Sequence, residues 1–293
     1  MELLKSCPIC GSEIFEPFVF GKDYFLTGEK FDIVKCTGCG FRFTNPRPET
    51  KDLGRYYESS DYISHSDKRK GLFASVYQQV RKYTLARKHS MINKFCQKGE
   101  ILDIGCATGQ FLQYMSAQGW NTTGIEPDEK TRTHAIEEYG LQVFPEEKLN
   151  EISQAAFDVI TMWHVLEHVS ELNTRMQQLK ILLKPEGTLI IAVPNCASYD
   201  AEKYGQFWAG YDLPRHLYHF TKSDIKLLAE KYGFTVVEIL PMKFDAFYVS
   251  LLSEKYKNGI MRWMPALWNG FWSNLKAGGN NDYSSLIYVI KMK

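Results

Sequence analysis

Two rhythms of apolar residues divide the chain. From residue 101 onward short apolar runs recur at 101–104, 122–125, 141–144, 157–162 and 188–193, in a repeated order of strand, turn and helix. That alternation predicts a parallel sheet with helices on both faces, because parallel neighbours must be joined by crossovers that pack back on the sheet. Before residue 45, short β-like runs alternate with turn signals. Residues 72–95 then read as a helix with Phe73, Val76, Tyr77 and Val80 on one face. Pro46 and Pro48 mark the joint between the two parts.

The last hundred residues change character. Thr221, Lys222, Ser223 and Asp224 form a capping-box pattern opening a helix that ends near Gly233, with strands expected at 235–240 and 286–292. Between those strands, 245–284 is rich in aromatic residues (Phe247, Tyr248, Trp263, Trp268, Phe271, Trp272) and too long for a bare connection. It reads as an inserted helical lid. The expected organisation is therefore a small module at 1–45, a helical linker or cap at 46–95, and an α/β domain at 96–293 that carries the lid.

A chain of 293 residues with 44% hydrophobic composition suits one α/β domain plus a small module. A formal net charge of +1 supplies no global field toward nucleic acid or anionic lipid, which leaves only local patches for such contacts. No apolar signal segment precedes the first cysteine pair, and no later stretch is long and apolar enough to span a bilayer, so a cytoplasmic location is expected. The cysteines number seven, an odd total that fits metal ligands and buried thiols better than a secreted disulfide framework.

Four of those cysteines are paired. Cys7 and Cys10, then Cys36 and Cys39, form two C-x2-C-G knuckles, and each spacing lets two thiolates face one ion while the glycine relieves the tight turn. Four sulfurs make a closed tetrahedral shell typical of structural Zn²⁺, with iron the lesser rival. Such an ion organises a fold and leaves no position for substrate. The aromatics between the knuckles, Phe15, Phe18, Phe20, Tyr24 and Phe25, serve either as a small core that docks on the next domain or as a binding face.

The first predicted strand runs into Asp103, Gly105, Cys106, Ala107, Thr108 and Gly109, a D-x-G-x-x-x-G pattern distinct from the G-x-G-x-x-G of dinucleotide folds. Its glycines let the backbone pass close to a ligand. Asp103 at the strand end can bond an ammonium or an adjacent water. Glu126, followed by Pro127, ends the second strand, where an acidic side chain grips two ribose hydroxyls. At this point the chain resembles the class I S-adenosylmethionine-dependent methyltransferases. The resemblance continues through Phe157, Asp158, Trp163, His164, Leu166, Glu167 and His168, and through Lys184, Pro185 and Gly187, and covers about residues 91–244 plus the final strand. It implies a Rossmann-like seven-stranded sheet with the last strand antiparallel, and S-adenosylmethionine lying across the strand ends. Trp163 and His164 would then approach the methionine half of the cofactor. Cys106 stands where glycine is common, and a small thiol fits there. The cysteine module and the segment 212–220 are similar to the zinc-containing branch that includes ubiquinone-type O-methyltransferases and sugar C-methyltransferases.

Methyl transfer from a sulfonium needs an acceptor held in line and, for a hydroxyl or acidic carbon, a base. His164, His168, His216 and His219 lie in the segments expected near the methyl group. His216 is the favoured base, with Arg215 and Tyr211 orienting the acceptor; His216 and His219 can equally bond backbone in a packed loop. His168 fits a structural role at a helix start. Tyr56, Tyr57 and Tyr62 either close over the cofactor or form a seam between linker and domain. The expected reaction is methylation of an oxygen or carbon on a small molecule such as a sugar, quinone or lipid-linked metabolite, with peripheral membrane contact through the aromatic lid as an option. Two other readings stand beside it: an rRNA methyltransferase, disfavoured by the lack of a basic cluster between the knuckles, and a cofactor-binding regulator or scaffold that performs no transfer. No N/D-P-P-Y/F/W string, the arrangement associated with methylation of exocyclic amines, follows the fourth strand.

Overall fold

The computed structural model describes residues 1–58 and 72–293, with side chains of the helix beginning at Leu72 described from residue 79 onward. Tyr62 and the side chains of Phe73, Val76 and Tyr77 therefore lie outside the described residues. Three strands come first: β1 (Phe15–Lys22), β2 (Lys30–Cys36) and β3 (Arg42–Thr44), followed by helix α1 (Leu72–Ile92). The middle of the chain alternates β4 (Glu100–Ile104), α2 (Gln110–Ala117), β5 (Asn121–Ile125), α3 (Glu129–Tyr139), β6 (Val143–Phe144), β7 (Phe157–Trp163), α4 (Leu172–Leu182) and β8 (Leu183–Pro194). The last third contains α5 (Tyr199–Tyr204), β9 (Tyr218–His219), α6 (Lys222–Lys231), β10 (Phe234–Pro241), the helices α7 (Asp245–Asn258) and α8 (Trp263–Asn280), and β11 (Ser285–Met292).

Seven strands form the main sheet in the order β10-β11-β8-β7-β4-β5-β6. β4 is parallel to both β5 and β7, and the parallel run extends to β6 on one side and β8 on the other. β11 enters antiparallel between β8 and β10, as expected. Chain direction away from β4 reverses between β5 and β7, so the crevice for a ligand opens at the carboxyl ends of β4 and β7. All predicted strands form, with two changed in extent. The run at 141–144 contributes only Val143 and Phe144, because just these two residues register with β5. The run at 188–193 lengthens to begin at Leu183, which pairs with Phe157 of β7. α1 stops at Ile92, earlier than the predicted 95. The capping box forms at Thr221 and Asp224.

The cysteine module does not stand apart in space. Its antiparallel sheet has the order β1-β2-β3-β9, and β9 comes from the segment between α5 and α6 of the following α/β part. Arg42 pairs with His219 and Phe43 with Tyr218. Phe41 stacks on Tyr218 and packs against Phe220, with Phe43 beside it, joining one continuous core with Leu102, Ile160 and Leu189 of the main sheet.

The helical pair α7–α8 forms where the lid is expected, but its apolar stripe faces outward. Small and polar residues line the inner side: Ser250 and Ser253 from α7, Ala266, Asn269, Gly270, Ser273 and Ala277 from α8. A Cβ on Gly270 would come within 2.6 Å of Phe247, so close packing there requires glycine. Buried Asp200 holds the seam, accepting from Trp208 Nε1, Ser273 Oγ and Ser284 Oγ at 2.7 Å each. Met264, Leu267, Trp268 and Phe271 are exposed. Among the described residues no helix is long and apolar enough to cross a membrane.

Candidate functional site

The turn after β4 is built by backbone conformations that few side chains tolerate. Gly105, Ala107 and Gly109 have φ of 71°, 49° and 78°. At Gly105 a Cβ would meet Val165 at 2.5 Å, and at Gly109 one would meet Leu141 at 2.6 Å, so both positions need glycine for space as well as for conformation. Cys106 is buried, and its sulfur sits over Gly124, where a Cβ would lie only 2.7 Å from Sγ. The thiol is thus accommodated by a glycine on the neighbouring strand.

Asp103 pairs in register with Thr161, whose hydroxyl donates to its carboxylate at 2.6 Å. Burial pushes the Asp103 carboxyl up to about 7, against the opposing pull of Thr161 and Lys88. Glu126 lies at the end of β5, accepting from the backbone N–H of Ala107 at 2.9 Å and of Asp128 at 3.0 Å. Burial raises its pKa in spite of those bonds. Each of its oxygens retains a lone pair for a sugar hydroxyl. Pro127 and the N-capped start of α3 follow, with Asp128 accepting from Thr131 N.

Lys88 of α1 was not singled out by the sequence, because a lysine in a helix gives no local signal. Its ammonium lies 3.7 Å from the centre of the Trp163 ring and 5.6 Å from that of Phe111. Burial lowers its pKa to about 8, and the charge of Asp103 opposes that shift. A cation and a carboxylate thus flank the strand end, which suits a zwitterionic amino-acid moiety.

His164 follows Trp163 with φ of 56°, a left-handed conformation that histidine adopts more readily than most residues. Its Nε2 is 3.1 Å from Asp245 at the start of α7, and its Nδ1 is 3.3 Å from Glu167. Burial alone would lower its pKa; the neighbouring carboxylates of Asp245 and Glu167 carry it up to about 10. It is an imidazolium at neutral pH and ties the lid to the strand end.

The segment 208–220 crosses above this region. His216 is buried, and its Nδ1 donates to Gly210 O at 2.8 Å. His168 stacks edge-on against it with ring centres 4.6 Å apart, its Nδ1 contacting Arg215 O at 3.0 Å and Tyr57 OH at 2.9 Å. Arg215 is fully buried and spends its donors on Asp212, Asp23 and the carbonyl of Tyr56. It therefore straps the cysteine module to the loop. Tyr211 is buried between Trp208 and His219. His219 contacts Thr44 Oγ1 at 3.1 Å, inside the module's sheet. Of the five catalytic candidates, His164 and His216 reach the region beyond β7, while Arg215, Tyr211 and His219 build the wall behind it. Tyr56 is also in that wall, fully buried.

The four cysteines converge. Sγ atoms are 3.6 Å apart for Cys7 and Cys39 and 3.5 Å for Cys10 and Cys36, and all four lie within 4.8 Å of one another. Tetrahedral thiolates at a Zn–S distance of about 2.3 Å are about 3.8 Å apart, so the cluster fits such an ion. The knuckles are alike in backbone: Gly11 N donates to Cys7 O, Gly40 N to Cys36 O, and both glycines have positive φ.

A sheet of this order, with a glycine turn at the switch point and an acidic residue ending the next strand, defines the class I S-adenosylmethionine-dependent methyltransferase domain. The methyltransferase domain family matches residues 77–239, more than half of the chain, and the chain belongs to it. It is similar to a ubiquinone biosynthesis O-methyltransferase of Maricaulis maris, 34% identical over 131 residues, or 42% of this chain and 52% of that protein. A protein of the same description from Rickettsia akari is 27% identical over 182 residues, 59% of this chain and 72% of its own length. The chain spans about half the length of the first such relatives. In fold it is similar to magnesium protoporphyrin IX methyltransferase of Synechocystis, with a TM-score of 0.54 at 12% identity over 84% of this chain and 100% of that one. A methyltransferase from Archaeoglobus fulgidus gives a TM-score of 0.51 at 20% identity, over 73% of this chain and 94% of that one.

Proposed function

We propose that this protein transfers a methyl group from S-adenosylmethionine to an oxygen or carbon of a small-molecule acceptor. The observation that carries the reading is the pairing of Asp103 and Lys88 at one strand end with Glu126 at the next, a set matched to ammonium, carboxylate and ribose. Asp103 holds the methionine ammonium, Lys88 its carboxylate, and Glu126 the ribose hydroxyls, while Gly105, Cys106, Ala107, Gly109 and Pro127 shape the turn beneath the nucleoside. The imidazole group around His216 handles the acceptor's proton, and the cation at His164 with Trp163 borders the sulfonium. Arg215, Tyr211 and His219 position that loop. The four cysteines hold Zn²⁺ in a structural role.

The acceptor is a quinone, sugar or lipid-linked metabolite. Relatives described as ubiquinone biosynthesis O-methyltransferases favour an apolar acceptor, and so does the outward stripe of α8, which fits contact with a membrane surface where such molecules reside. Incubation with methyl-labelled S-adenosylmethionine and a panel of hydroxylated quinones, sugars and RNA tests the reading. Label in a small molecule, lost in Glu126→Ala together with about tenfold or greater weakening of cofactor binding by calorimetry, is expected from the loss of charge-assisted hydrogen bonds. Label only in RNA, or cofactor binding without transfer to any acceptor, overturns it.

A further inference from the structure

A cation placed beside a sulfonium repels it unless something offsets the charge, and His164 is such a cation. Its backbone N–H donates to Ala192 O of β8 at 2.9 Å, which fixes the residue at the end of β7. Nδ1 faces Glu167 at 3.3 Å, and Nε2 donates to Asp245 Oδ2 at 3.1 Å. Burial alone would raise the Glu167 carboxyl, but His164 and the neighbouring imidazoles hold it below its usual range. Two carboxylates therefore share one imidazolium, and the group keeps one negative charge in excess.

The two carboxylates differ in origin. Glu167 belongs to the short helical turn just after β7 and is fully buried. Asp245 is the first residue of α7 and is brought in by the lid. Its side chain is 24% exposed, so water screens its charge only in part. That charge also reaches Lys88: burial lowers the lysine, and Asp103 and Asp245 oppose the shift. Lys88 in turn lies 3.7 Å from the centre of the Trp163 ring, next to His164 in the chain. Asp245 is thus electrically part of the strand-end group although it comes from 81 positions further along. Asp103 and Lys88 match the ammonium and carboxylate of a methionine moiety, which together carry no net charge. The cofactor's remaining charge is the single positive one on sulfur, and the site's remaining charge is the single negative one shared by Asp245, His164 and Glu167.

We propose that Asp245 is the counter-ion of the cofactor's sulfonium, a specificity residue supplied by the lid that favours the charged methyl donor over its neutral product. This role rests on the methyl-transfer reading of the same site. When the methyl group leaves, the sulfur keeps the electron pair of the broken S–C bond and becomes a neutral thioether, so the attraction ends with the reaction. Product is then held by its amino-acid and ribose contacts alone, and fresh donor displaces it. Seating of the lid and preference for the donor are the same event, because α7 starts at the residue that carries the charge.

Calorimetry on the full chain tests this, with S-adenosylmethionine and S-adenosylhomocysteine as the two probes, at about pH 6, where Glu167 still keeps the His164 ring charged. In Asp245→Asn, affinity for S-adenosylmethionine is expected to fall about tenfold, the size of one unit charge lost at several ångströms in a medium of intermediate dielectric, while affinity for S-adenosylhomocysteine changes less than about twofold. Asp245→Glu, which restores the charge, is expected to restore the preference for the donor. Equal weakening of both nucleosides in Asp245→Asn overturns the proposal, since it marks a merely structural support of the lid, and so does an unchanged ratio or a lost preference in a folded Asp245→Glu. If the unaltered chain binds neither nucleoside, the methyl-transfer reading fails and takes the counter-ion with it. If it binds both and Asp245→Asn alters them alike, that reading stands and the counter-ion falls.

Discussion

At the scale of single residues, the proposed cofactor pocket sets Asp103 and Lys88 against their solution preferences. Burial pushes the Asp103 carboxyl up to about 7, and in the proposed binding mode it would meet the cofactor's ammonium only as a carboxylate. On that proposal its proton must leave before binding is strong, and affinity is expected to rise with pH up to about 7. From pH 6 to pH 7, below the range where an α-amino group of the ligand itself titrates, calorimetry is expected to show about a fivefold gain. Asp103→Asn should flatten that dependence; an unchanged slope would mean another group governs it. Raised carboxyl pKa also means that Asp103 stabilises the unliganded fold only toward the acid side: stability is present near pH 4 and declines as pH climbs through about 7. Asp103, Gly105, Gly109 and Glu126 are legible in the sequence because their chemistry is local, a turn and two strand ends. Lys88 is not, since a helix surface brings it beside that turn only through tertiary packing.

At the scale of elements, the cysteine knuckles and the loop bearing His216 are one mechanical unit. β9 completes the module's sheet, Arg215 ties Asp23 to Asp212, and Arg47 donates to Tyr218 OH and Ser170 O. Cys36→Ser is expected to release zinc and to loosen β2 and β3, and the disturbance passes through β9 to His216. Turnover should then fall at least tenfold while cofactor binding changes little, because the glycine turn and Glu126 belong to the main sheet. Parallel loss of both would show that the module supports the whole domain; retained metal would remove the cysteines as its ligands. The knuckles themselves are plain in the sequence. Their partnership with 212–220 is not, because a two-residue strand pairing across more than 170 positions leaves no periodic trace.

At the scale of the whole molecule, the lid is turned inside out relative to an ordinary helical pair. Full burial of a large apolar side chain is worth about 1.5–3 kcal/mol, so leaving Trp263, Met264, Leu267, Trp268 and Phe271 in water forgoes several times that amount. The flanking charges are all basic: Lys255, Lys257, Arg262 and Lys276, with no acid from 255 to 281. Net charge near zero hides this local asymmetry, which the lid's aromatic content alone also failed to disclose. Flotation with phosphatidylglycerol vesicles is expected to carry the protein, weakly in high salt and hardly at all after Trp268→Ser with Phe271→Ser. A salt-insensitive dimer that ignores vesicles would assign the stripe to a second copy instead.

The shared strand β9 also sets an order of assembly. The knuckles are the first part of this sequence to leave a ribosome and can gather their ion early, yet β3 keeps an open backbone edge until residues 218 and 219 arrive. Closing that loop must wait for most of the later sequence, the kind of distant contact that slows folding. A nascent or truncated chain therefore carries the cysteine cluster with an unpaired strand beside it, an edge available to other chains and to quality-control factors alike.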